Sequence, residues 1–174
     1  MSDRLQQIKT VLGTAPSRWL VLAETVPPEL LSRRPAPGEW SALECLQHVI
    51  ITERAVMQLR VRCFLAGQDF PGFDPDAPGN TPDVAATPLN LAREFASLRT
   101  ATMELMATVQ PADLARRVRH QDLGPVTLDE QLNEWTAHDL MHIVQAEQAL
   151  MQPFISSSGP WRKYFAAHEA KPQK

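Results

Sequence analysis

Two histidines, His138 and His142, stand four residues apart in the run NEWTAHDLMHIVQAEQAL from Asn133 to Leu150. On a helix, residues at i and i+4 project from one face, so the two imidazoles can converge on one point. Neutral imidazole suits divalent zinc, nickel, copper or iron, and a metal ion is the usual occupant of such a point. Two ligands do not complete a site, because zinc and its neighbours take at least three from the protein. His48 is the candidate third ligand. Three imidazoles leave a coordination position open, where a water would become more acidic and an entering carbonyl or thiol would be polarised or deprotonated.

Other groups lie within a turn of these histidines. Glu44 precedes His48 by four residues and Glu134 precedes His138 by four, so each is a candidate general base or outer partner of an imidazole. Each also has a plainer role, Glu44 in a helix cap and Glu134 as a solvated carboxylate. Gln145 is placed to orient His142, and Cys45, three residues before His48, is either a further ligand or a buried apolar group. His120 lies beside arginines in a linker and His168 lies near the tail, and both are expected to face solvent.

The elements that would carry these groups are helical. Leu5, Ile8, Val11 and Leu12 recur at helical spacing, and the pattern resumes at Trp19, Leu22 and Val26 beyond Gly13 and Pro16. One kinked helix or two short ones would satisfy it, and Pro27 and Pro28 end it. Ser41 and Glu44 form an S-x-x-E capping box, flanked by Trp40 and Cys45 as a hydrophobic staple, and open a second helix. It runs through Leu46, Val49, Ile50, Val56, Leu59 and Phe64 to Gly67, with His48 two turns inside. Residues 68–87 form a long loop rich in proline, glycine and aspartate, either a lid over a pocket or a simple crossover. Thr87 and Pro88 open a third helix that Pro111 closes. After a linker with a short irregular or extended segment, Thr127 and Glu130 repeat the capping box and start a fourth helix, expected to end at Pro153. Trp161, Tyr164 and Phe165 suggest a short C-terminal helix docked by its aromatics, and residues 171–174 a frayed tail.

The reading is all-α: a four-helix bundle with one long crossover loop and a short C-terminal helix, a single domain over residues 1–170. On the fourth helix the histidine face carries Leu128, Trp135, Gln145 and Ala149, so the imidazoles should point into the bundle. Basic residues number 17 against 20 acidic ones, and no Lys/Arg run exceeds a pair, which argues against nucleic acid as a partner and leaves small molecules or proteins. The N-terminus lacks the pattern of a signal peptide and no apolar run approaches a membrane span, so a cytoplasmic protein is expected. Cys45 and Cys63, on one straight helix, would sit about 27 Å apart and could not bridge each other, consistent with a reducing compartment.

The run RPAPGEWSALECLQHV, the long loop and then HDLMHIVQAEQ together resemble the DinB-like (DinB/YfiT-like) superfamily of metal-dependent enzymes. The matching positions are Trp40, Ser41, His48, His138 and His142, with Glu44, Asp139 and Gln145 fitting the surrounding pattern, over nearly the whole chain to about Met151. The resemblance implies a bundle of up-up-down-down type with a divalent metal, often zinc or nickel, on the three histidines. It also implies frequent dimers, and activities that include thiol-dependent S-transfer, a thiol-dependent isomerisation and hydrolysis. Two function classes follow. One is a metal-dependent enzyme that hydrolyses a small molecule or transfers a low-molecular-weight thiol to it. The other is a non-catalytic, stress-associated binding or scaffold protein whose metal is structural or adventitious.

Overall fold

Four long helical segments build the computed structural model, which describes residues 4–74 and 86–170. The expected lid therefore lies largely outside the described residues, as does the tail at 171–174. Helix α1 (Arg4–Thr25) continues unbroken through Pro16, which decides between the two readings of the first helix. A single turn, α2 (Pro28–Leu31), leads to α3 (Ala42–Thr52). Ser41 caps α3 as its sequence requires: its hydroxyl accepts from the Glu44 backbone N–H, and the Glu44 carboxylate accepts from the Ser41 backbone N–H at 2.8 Å. A π-turn at Glu53–Met57 joins α3 to α4 (Gln58–Ala66), which ends on Gly67 with a φ of 67°, the left-handed cap that glycine adopts without a Cβ penalty.

Helix α5 (Pro88–Thr108) starts at the Thr87 cap, and α6 (Leu128–Ser157) at the second capping box. The main packing pairs are α1 with α5 and α6, and α3 with the same two helices. The consecutive segments α1 and α3 thus stand across the bundle from each other, and each touches both later helices.

Several expectations need correction. Pro153 does not end α6, which runs on to Ser157. A proline near a helix end removes one backbone donor, and Ser156 and Ser158 close the final turn by donating their hydroxyls to the Pro153 and Ile155 carbonyls. The linker forms an antiparallel hairpin of β1 (Arg117–His120) and β2 (Gly124–Thr127), in which Val118 and His120 point inward. Leu59 is 51 % exposed because the extra residue of the π-turn rotates the following helix, bringing Val61 and Phe64 into the core in its place. The C-terminal piece is a 3-10 segment over Gly159–His168, and its aromatics are not docked: Trp161 is 65 % and Tyr164 70 % exposed. Gln152 holds it instead, donating to the His168 carbonyl and accepting from the Ala170 N–H.

Two apolar clusters fill the bundle. One gathers Leu5, Ile8, Leu12, Val61, Phe64, Met106, Leu132 and Trp135, and the other Trp19, Leu46, Val49, Ile50, Leu91, Phe95 and Ile143. Between them lies a polar layer centred on Arg99, which is 1 % exposed. Its guanidinium donates to both oxygens of Glu53 at 2.9 Å, to Asp139 Oδ2 at 2.6 Å and to the Leu12 carbonyl at 2.9 Å. That carbonyl is the one Pro16 leaves without its i→i−4 partner, so the proline in α1 and the arginine in α5 satisfy a single constraint. Among the described residues no helix is long and apolar enough to cross a membrane.

Removing a guanidinium from between two buried carboxylates is costly. Arg99→Met should lower the unfolding free energy by about 3–5 kcal/mol in urea denaturation. Adding Glu53→Gln and Asp139→Asn to that variant should recover part of the loss.

Candidate metal centre

His48 reaches the seam between α3 and α6 from two turns inside its capped helix, and His138 and His142 meet it from successive turns of α6. Their Nε2 atoms converge. His138 Nε2 lies 3.2 Å from His48 Nε2 and 3.2 Å from His142 Nε2, and the three candidate donor atoms all fall within 4.8 Å of one another. Among the described residues no carboxylate or thiolate joins this group.

The surroundings fix the rings. Gln145 Oε1 lies 3.0 Å from His142 Nδ1 and can only accept, so the proton sits on Nδ1 and Nε2 offers its lone pair to the common point. Trp40 stacks on His142 with ring centroids 5.8 Å apart and leans on His48 at 5.0 Å, walling one side. His138 Nδ1 is buried without a partner.

Burial pushes the imidazoles toward the neutral form. The His138 pKa falls to about 3, through burial first and then the neighbouring His142, His48 and Arg99. That of His142 falls to about 4, through burial and then His48, with Gln145 opposing. His48 is lowered by burial as well. Three neutral imidazoles with nitrogen lone pairs facing inward repel one another, and a cation at the centre relieves that repulsion. The donor set therefore fits a metal ion.

The other candidates separate clearly. Glu44 is committed to Ser41 and to Arg34, whose Nε donates to it at 3.0 Å, and despite partial burial its pKa is lowered by those bonds. Glu134 keeps an exposed outer edge while its carboxylate accepts from Gln131 Nε2 at 2.9 Å; desolvation raises its pKa against the pull of Arg60. Cys45 is wholly buried, its thiol pushed up to about 12 by burial and by Glu44, and it does not belong to the histidine cluster. His120 is buried, not exposed: it closes the β1–β2 turn by accepting the Asp122 and Leu123 N–H groups at Nδ1. His168 is exposed as expected.

Sequence reasoning missed the Arg99 layer, although its signal was present. Leu91, Phe95, Arg99, Thr102 and Met106 form one helical stripe, and a charge inside an apolar stripe calls for a buried partner.

A family model described as the DinB superfamily matches residues 12–146. The chain belongs to the DinB superfamily. Among solved structures it is similar to YfiT from Bacillus subtilis, described as a probable metal-dependent hydrolase with an unusual four-helix bundle topology. That match has a TM-score of 0.70 and 18 % identity over 88 % of this chain and 89 % of the other, which establishes a common fold. No curated protein matches. As a DinB-superfamily bundle, the chain places its three histidines at the helix positions that its sequence marks out.

Depressed histidine pKa values bind stability to pH. Unfolded imidazoles titrate near 6.5, so below that pH the unfolded chain of the metal-free protein takes up protons that the folded site refuses. Stability should fall as pH drops from about 6.5 toward 4, by up to roughly 1.4 kcal/mol per pH unit for each imidazole. Urea denaturation in chelator across this range should give a visibly shallower slope for His138→Ala.

Proposed function

We propose that this DinB-superfamily chain is a divalent-metal-dependent enzyme in which His48, His138 and His142 hold zinc or nickel and a small molecule undergoes hydrolysis or thiol (S-) transfer. The observation that carries the reading is the convergence of three neutral imidazole Nε2 atoms, with the His142 lone pair aimed by Gln145. The description of YfiT as a probable metal-dependent hydrolase supports the hydrolytic form. A bound divalent ion would supply Lewis acidity at its open position, favouring the deprotonated form of water or of a low-molecular-weight thiol.

The protein's own residues do the rest. Three neutral ligands leave the charge of the ion undiminished, and Gln145 holds one of them in the ligating tautomer. Trp40 keeps solvent from one side of the cluster. Glu134, one turn before His138 and with its proton affinity raised by desolvation, is the carboxylate suited to take a proton from the nucleophile. Glu44 is not, since its oxygens are engaged by Ser41 and Arg34.

Metal analysis of the untagged protein tests the reading. About one zinc or nickel per chain is expected, lost in His48→Ala, His138→Ala or His142→Ala and kept in His168→Ala. Gln145→Leu should weaken the metal by about 10–100-fold, the usual cost of removing a group that orients a ligating histidine. Undiminished metal in all three ligand variants would sink the assignment.

A further inference from the structure

Arg60 is a half-buried arginine whose guanidinium meets no carboxylate at ion-pair distance among the described residues. It lies over the Phe70 ring, 5.1 Å from its centroid, and donates through Nη1 to Gln131 Oε1 at 3.3 Å. Nη2 faces His120 Nε2 at 3.4 Å. The hairpin decides what that second contact is. His120 Nδ1 accepts the Asp122 N–H at 3.1 Å and the Leu123 N–H at 3.3 Å, so in the neutral ring the proton must sit on Nε2. The Asp122 carboxylate lies on the Nδ1 side, 3.9 Å away. Arg60 Nη2 and His120 Nε2 therefore face each other as two donors, with no acceptor shared between them among the described residues.

Arg60 borders a cleft, and the Phe70 ring that helps line it packs edge-on against His120 at 5.3 Å. The segment after α4 runs beside β1: the Phe70 N–H donates to the Arg119 carbonyl, the Gln121 N–H donates to the Phe70 carbonyl, and Asp69 accepts from the Arg119 N–H at 2.8 Å. Gly72 lies so close to Asp122 that a Cβ there would meet its carboxylate, which pins the segment against the turn. Between it and the π-turn and α4 lies a cleft of about 140 Å³, lined by Ala55, Leu59, Arg60, Phe70, Pro71 and Phe73 among others. Its walls are apolar apart from Arg60.

We infer that Arg60 and His120 form a binding site for the carboxylate of a small organic acid whose apolar body occupies this cleft. One cation beside one neutral N–H donor matches the two oxygens of a single carboxylate. Burial lowers the Arg60 pKa, as for a cation awaiting a close counter-ion, with Glu134 offsetting it only at longer range. The site stands apart from the histidine cluster. His48 and Arg60 are twelve residues apart on one helical segment, about 18 Å along the axis, so the inference does not rest on the metal reading, although Glu134 acts on Arg60 and stands one turn before His138.

Titration of the labelled full chain with benzoate, and with benzamide as its neutral counterpart, followed by NMR, tests it. Benzoate should shift the Arg60 Nε–H, the His120 ring and the Asp122 and Leu123 amides in a saturable way, and benzamide should bind at least about tenfold more weakly. Arg60→Gln should weaken benzoate at least about tenfold, while Arg62→Gln, at an exposed neighbour, should leave it unchanged. His120→Asn keeps an acceptor for the turn but lacks the Nε2–H, and Arg60→Lys keeps the charge but lacks the planar fork. Both should bind a few-fold more weakly, which keeps the test open if Arg60→Gln does not fold. A carboxylate bound at the histidines instead would be lost in His48→Ala and retained in Arg60→Gln. That pattern, equal binding of benzamide, or no saturable shift would overturn the inference.

Discussion

A single guanidinium in the middle of the bundle ties its four helical segments together. Arg99 on α5 bonds to Glu53 at the head of the π-turn, to Asp139 on α6 and to the Leu12 carbonyl on α1. It lies against the rings of Phe95 and Trp135, so its faces are packed as well as its edges bonded. Such a layer gives no large net stabilisation, because desolvating the three charges offsets most of their attraction. What it supplies is register. Any helix that slips by a turn leaves a buried charge or a buried carbonyl unpaired, and the packing of the apolar clusters on either side is held to one alignment. Asp139 adjoins His138 in sequence, so the same alignment sets where the histidines on α6 stand relative to His48.

The histidine cluster and the polar layer differ in charge. The three converging groups are neutral and bring no anion to the ion they would hold, whereas the layer beside them carries two acids and one base. An ion in an all-imidazole site keeps more of its Lewis acidity than one bound by carboxylates. What the layer brings to the nearest imidazole is the charge of Arg99, which helps keep His138 neutral.

How much of this was legible in the sequence follows from how local each cause is. Ser41 with Glu44, Thr127 with Glu130, Thr87 with Pro88, and Gly67 each satisfy backbone groups within a few residues, and the helix boundaries they mark are where the structure has them. The histidine triad was legible because His138 and His142 stand one turn apart on a largely apolar face and His48 lies two turns inside a capped helix. The hairpin was hidden because two of the four residues of β1 are arginines, so its alternation reads as charge. Pro153 misled because proline is a breaker only where the missing donor matters, and near the end of α6 it matters little. The inward turn of His120 depends on a hairpin loop two residues further on, and the docking of Phe70 on β1 depends on residues fifty positions apart. Glu53, Arg99 and Asp139 come from three separate helices, and no local pattern announces their meeting.

The π-turn at Glu53–Met57 amounts to one additional residue housed inside an otherwise regular helix. Each α-helical residue advances about 100°, so winding the same residues without the bulge would swing everything downstream by about that angle, take Val61 and Phe64 out of the core and turn Arg60 from the hairpin. Losing one residue together with the bulge would instead leave both halves facing as they do. The bulge is what lets this stretch carry one residue more than a regular helix between the same two faces, so the spacing from His48 to Gly67 can differ by one between chains whose cores are alike.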